Sequence, residues 1–309
     1  MIDYSNISNS LKYNQIYYNQ NGSWETWNKP ANIKFVYVFA IGGGGGGGGG
    51  RTSAINSACG GGGGGSSSIT IGLFPANLLP DTLYIQVGAG GVGGSPNVNG
   101  TNGALSYVSF YPNSSLDINN LIASGGVGAT GGAFGSSSVG GVGGSGGTAY
   151  SFTTTIFGEI GQVTSAIGQN GTSGGNLGGG TPNLTPTFPL TGGAGGGAVS
   201  AGGTTYTAGS IIGSGFLSTV SGGIADSATS TINGSSGYQN LTYINNILTE
   251  PMFFTGGAGG ASATTNPRAG GNGGNGAFGS GGAGGGGAYS GIGGTGGKGG
   301  DGLIIITCW

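Results

Sequence analysis

The sequence predicts an all-β fold with polyglycine-II rods, extended segments like polyproline II, in which a β-sandwich-like sheet encloses a glycine-rich bundle. Three observations point there. Glycine supplies 83 of the 309 residues, against roughly 7% in an ordinary globular chain. Much of it falls in triplets, as in Gly140-Gly-Val142, Gly143-Gly-Ser145 and Gly146-Gly-Thr148, and again from Gly293-Gly-Thr295 to Gly299-Gly-Asp301. The segments between are β-branched and aromatic, and none shows a helical period with caps.

The elements follow in chain order. Asn21-Gly-Ser-Trp-Glu-Thr-Trp-Asn-Lys-Pro30 reads as a β-hairpin whose Trp24 and Trp27 cover a sheet edge. Lys34 to Ile41 is apolar on both faces, the pattern of a strand covered on both sides. It runs straight into Gly42 to Gly50. Ser68 to Ile71 and Thr82 to Val87 are the next strands, the latter with Leu83, Ile85 and Val87 on one face. Ala104 to Phe110 alternates in the same way, and Leu303 to Trp309 closes the chain. The first and last strands are expected to meet in one sheet.

The triplets explain the glycine. Three residues per turn is the polyproline-II period, so Gly-Gly-X puts every X on one ridge and leaves two ridges bare for neighbouring backbones. Collagen needs the same triplet with abundant proline, but the chain has only 10 prolines, none inside these triplets. Ordering a glycine costs roughly 0.5–1 kcal/mol more than ordering an alanine, so only a lattice that pairs the backbone groups offsets it. Internal echoes support a repeated unit. Thr191-Gly-Gly-Ala-Gly-Gly196 recurs as Thr255-Gly-Gly-Ala-Gly-Gly260, and Ala133-Phe-Gly-Ser136 as Ala277-Phe-Gly-Ser280.

Composition narrows the chemistry. Without histidine, neither a His-based metal site nor a triad with a His base can be built. Six cations in the whole chain make no electrostatic footprint for nucleic acid. Gly297-Lys298 is followed by Gly299, so no phosphate-binding loop is completed. The carboxylates stand singly, which gives no acid/base pair. Asp301 reads as a turn residue and, with Lys298 on the same ridge, as a surface pair. Cys59 and Cys308 read as buried thiols. Met1 to Asn6 lacks the start of a signal peptide, and no run approaches the ~20 apolar residues of a membrane span. An enzyme is not expected, nor a cofactor or metal.

Between Ile211 and Phe254 glycine falls to positions 213, 215, 222, 223, 234 and 237. Aromatic rings among Ser, Thr and Asn on a rigid scaffold are the usual make-up of a contact surface. Phe216, Tyr238 and Tyr243 are therefore the receptor-contact candidates, whereas Phe253 and Phe254, beside Pro251, also fit a core.

Three signatures occur in order: Gly22-Ser-Trp24 with Pro30 and the Phe35–Ile41 strand entering polyglycine; Leu79-Pro-Asp-Thr-Leu-Tyr-Ile-Gln-Val-Gly-Ala-Gly90; and Gly299-Gly-Asp-Gly-Leu-Ile-Ile-Ile-Thr-Cys-Trp309. Together they resemble the glycine-rich domain of phage tail-fibre and minor tail proteins. The organisation is also similar to the tail-fibre tip adhesins of T-even-like phages, and related glycine-rich proteins occur in large DNA viruses. The resemblance implies a polyglycine-II sandwich whose loops touch a bacterial receptor. It places the protein on the virion surface, in a tail fibre or on the capsid exterior.

The expected organisation is an attachment segment over 1–14 and a glycine-rich domain over 15–309, with the glycine-poor excursion at 211–254. The expected function is a non-enzymatic fibre tip or adhesin. Its expected partners are other virion proteins and a host-surface glycan or protein, and a homo-oligomer is allowed. The alternatives are a capsid decoration protein without a receptor and, more remotely, an ice-binding protein.

Overall fold

The computed structural model describes residues 13–17, 22–54, 57–116, 120–124, 132–148, 161–187, 189–215, 217–225, 232–237, 239–244, 247–264 and 269–309. In chain order the strands are β1 (Tyr13–Tyr17), β2 (Glu25–Asn28), β3 (Phe35–Ile41), β4 (Thr52–Ser53), β5 (Ile69–Pro75), β6 (Thr82–Gln86), β7 (Ser106–Ser109), β8 (Asn120–Ser124), β9 (Gln162–Ala166), β10 (Gln239–Ile244), β11 (Ile247–Phe254), β12 (Ala288–Tyr289) and β13 (Leu303–Cys308).

Two antiparallel sheets lie face to face. The first has the order β1-β13-β3-β5-β9 and the second β2-β6-β7-β8. The first and last strongly apolar strands do pair, Ile41 opposite Leu303 and Val36 opposite Cys308. Between the sheets, Val36, Val38, Ile304 and Ile306 meet Trp27, Leu83, Ile85 and Val108 in one cluster. The opposite face of the first sheet carries Phe39, Ile41, Leu303 and Ile305, covered by Leu190 and Phe254. Both faces of β3 and β13 are thus buried, which is why their sequences do not alternate.

The Trp24–Trp27 segment differs from the expected hairpin. β2 pairs with β6, Trp27 opposite Leu83, at the edge of the second sheet. Trp27 enters the core between the sheets, while Trp24 packs beside Tyr107 with ring centroids 6.2 Å apart. Pairing with β6 sets Trp27 beside Leu83 and over the core between the sheets, a burial that a local turn does not supply.

The glycine segments continue beyond the strand ends, outside helix and sheet, and pack on one another rather than between the sheets. Gly42–Gly50 extends β3, Gly88–Ser95 follows β6, and the segment from Ile292 to Gly302 leads into β13. The sheets therefore form one end of the bundle. At the other end the chain reverses repeatedly, for instance between Gly94 and Asn99, Gly135 and Gly140, and Ala288 and Gly293.

Candidate functional site

The glycine segments share one bonding rule. Along Gly42–Gly50, successive N–H groups donate to three different neighbours in rotation. Gly43, Gly46 and Gly49 donate to Ala104, Thr101 and Val98; Gly44, Gly47 and Gly50 to Gly300, Gly297 and Gly294; Gly45 and Gly48 to Gly65 and Gly62. The carbonyls accept from three further segments. Gly91 and Gly94 donate to Gly44 and Gly47, Gly282 and Gly285 to Gly45 and Gly48, and Gly132 and Gly135 to Gly46 and Gly49. The segments Gly60–Gly65 and Gly281–Gly287 are surrounded in the same manner.

Position in the bundle follows from composition. These three central segments are nearly pure glycine because each ridge faces a backbone. A Cβ on Gly47 would run into the carbonyl of Ala283, and one on Gly63 into that of Gly193. Outer segments can carry a side chain on their free ridge, and there Val92, Val142, Thr295 and Lys298 are exposed. Where a ridge is covered by another segment, X becomes alanine: Ala194 and Ala258 are buried against Ile211 and Val220. The echoed Thr191 and Thr255 segments are direct neighbours, with Ala194 N–H donating to Gly257 and Gly197 N–H to Gly260.

Polar X residues close the lattice edge. The Oδ1 atoms of Asn272 and Asn275 accept the backbone N–H groups of Thr295 and Lys298, at 2.9 and 2.8 Å. Asp301 accepts the Gly90 N–H at 2.8 Å and pairs with Lys298. The surface pair expected at Lys298 and Asp301 is present, and Asp301 also ties the last glycine segment to Gly88–Ser95 where β13 begins.

The end of the bundle away from the sheets is the candidate contact surface. The reversals there expose large aliphatics: Val98 at 51%, Val139 at 63%, Leu177 at 51% and Ile292 at 65%. Arg51 lies at the same end, its amide on Cys59 and its Nε buried without a hydrogen-bond partner. Sequence reasoning missed this surface because each residue stands alone among small turn residues; only the packing brings their turns to one end.

Of the sequence candidates, Phe216 and Tyr238 lie outside the described residues. Tyr243 lies in β10 opposite Leu248. The structure places Phe254 in the core, edge-on to Phe278 at 6.0 Å, and buries Phe253 as well. Cys59 and Cys308 are both free and buried. Burial raises the Cys59 pKa above its ordinary 9.0. Among the described residues no cluster of acidic or thiol groups could hold a metal ion, and no helix is long and apolar enough to cross a membrane.

The glycine-rich domain model matches residues 19–309. The chain belongs to the glycine-rich domain family. This glycine-rich domain spans both sheets from β2 onward and every glycine segment described above. No curated protein matches it.

Proposed function

We propose that the glycine segments are polyglycine-II rods and that the protein is a non-enzymatic adhesin of a virion surface, which uses the far-end turns to contact a host-surface glycan or protein. The rod reading rests on the rotation of hydrogen bonds through three directions with a three-residue period, which matches a helix of three residues per turn. The adhesin reading is carried by one observation: the turns at the end away from the sheets expose the large aliphatics Val98, Val139, Leu177 and Ile292. Loops on a rigid scaffold are the usual seat of binding residues. The virion setting comes from the three sequence signatures. Together these features favour a display scaffold over a catalyst.

The test is attachment of the labelled chain to a panel of bacterial cells, together with immunogold location on purified virus particles. The triple variant Val139→Ser, Leu177→Ser, Ile292→Ser is expected to lose attachment at least about tenfold, a loss of about 1.4 kcal/mol, with its Tm unchanged. Loss in Tyr238→Ala with Tyr243→Ala instead, with the triple variant intact, assigns the contact to the glycine-poor excursion. Absence of the protein from particles and from every cell surface overturns the reading.

A further inference from the structure

The outer rods are rich in Asn–Gly, the dipeptide most prone to lose ammonia in a flexible chain. In that reaction the Gly nitrogen attacks the Asn Cγ and gives up its proton. Ammonia leaves, and water opens the succinimide to aspartate or isoaspartate. Ring closure needs the Gly nitrogen and the Asn carboxamide free to turn toward each other.

In this fold both groups are held by the neighbouring segment. The Oδ1 of Asn272 accepts the Thr295 N–H at 2.9 Å, and the Gly273 N–H donates to the Thr295 carbonyl at 2.8 Å. Asn275 and Gly276 bracket Lys298 in the same way, at 2.8 and 2.9 Å. Asn233 and Gly234 bracket Asn272, both at 2.8 Å. These pairs run parallel. In antiparallel pairs the two anchors lie two residues apart. Asn99 accepts from Phe134 at 2.9 Å while Gly100 donates to Gly132 at 3.0 Å. Asn170 accepts from Gly146 at 2.8 Å while Gly171 donates to Gly144, also at 2.8 Å.

We propose that Asn–Gly is the lateral clamp of the outer rods, and that the clamp holds Asn99, Asn170, Asn233, Asn272 and Asn275 against deamidation as long as the rods stay packed. The motif does two jobs with one dipeptide. Its side-chain oxygen takes an outward N–H that has no further rod to donate to, and its glycine keeps the bare ridge on which a neighbour packs. The product would damage both: a carboxylate replaces the carboxamide, and isoaspartate adds an atom to a backbone whose register repeats every three residues. The proposal rests on these hydrogen bonds alone and is independent of any receptor.

The experiment is peptide mapping by mass spectrometry of the full chain aged at mildly alkaline pH, folded or in urea. In urea all five steps are expected to deamidate. In the folded chain each should react at least about tenfold more slowly, since reaction then waits on local opening. A second arm separates the clamp from general rigidity. Thr295→Pro removes the N–H that holds Asn272 while keeping a φ suited to an extended rod. The clamp predicts faster loss at Asn272 and an unchanged rate at Asn275, whose anchor is Lys298. Equal folded and unfolded rates at Asn272 and Asn275 overturn the proposal. So does a Thr295→Pro chain in which Asn272 stays as slow as before, or in which both sites accelerate equally.

Discussion

Single residues in the bundle differ sharply in what they tolerate, and the difference is set by what faces the missing Cβ. At Gly47 a methyl group would meet the Ala283 backbone, which cannot move without shifting a central segment. Gly47→Ala is expected to leave the chain unfolded or aggregated on expression, checked by circular dichroism and gel filtration. At Gly202 the nearest atom is Ser200 Oγ at 3.9 Å, and the next residue, Gly203, has φ +77°. Gly202→Ala is therefore expected to hold or raise stability by about 0.4–1 kcal/mol, through a less flexible unfolded chain. Gly203→Ala should lower it by roughly 1–2 kcal/mol, the penalty of a left-handed L-residue. Thermal melts of the two neighbours give the comparison directly. Cys59 supplies a pH-dependent case. Its folded pKa lies above the ordinary 9.0 because burial disfavours the thiolate. Above that value the unfolded state releases a proton that the folded state keeps, so stability is lost as pH rises. Urea melts on both sides of that pH should show a steeper decline for the wild type than for Cys59→Ala.

Among the elements, the strands were the most legible. Lys34 to Ile41 read as a strand covered on both sides and Leu303 to Trp309 as the closing strand; both faces of each are buried, one against the second sheet and the other under Leu190 and Phe254. Leu83, Ile85 and Val87 share a face in the sequence and share the inter-sheet core. Trp27 was misread because its partner β6 lies far along the chain, beyond the reach of local turn logic. Val142 and Thr295, read as X residues of Gly-Gly-X triplets, are both exposed. The central segments hold no X residue larger than alanine, Ala283 in Gly281–Gly287 being the one exception to pure glycine. That the exposed aliphatics Val98, Val139, Leu177 and Ile292 all sit on far-end turns was not legible, because it depends on where each reversal falls along the bundle. Two strand predictions follow. Ile306, fully buried between the sheets, should cost about 2–5 kcal/mol on Ile306→Ala, measured by denaturant unfolding. Removing Leu303 to Trp309 takes away the strand between β1 and β3, and insoluble protein is expected; a soluble, monodisperse truncation would contradict the central place of β13.

At the scale of the whole molecule, order and regular secondary structure part company. The most enclosed backbone lies in Gly44–Gly49, Gly61–Gly64 and Gly282–Gly286, none of it in a helix or sheet. Native-state hydrogen exchange should find these amides among the slowest in the chain, as slow as those of β3 and β13, because their release requires opening the bundle as a unit. Fast exchange there, with protected strands, would mean that the glycine segments open independently of the sheets.

The rotation of hydrogen bonds through three directions also has a mechanical meaning. A β-sheet is stiff in its own plane and compliant across it, because its bonds lie along one lateral axis. A bundle bonded in three lateral directions has no such soft axis. Each segment runs from the sheet end to the far turns, so a pull on those turns travels along many covalent backbones side by side. The cross-links between them are then loaded together in shear, instead of being unzipped one after another from an edge.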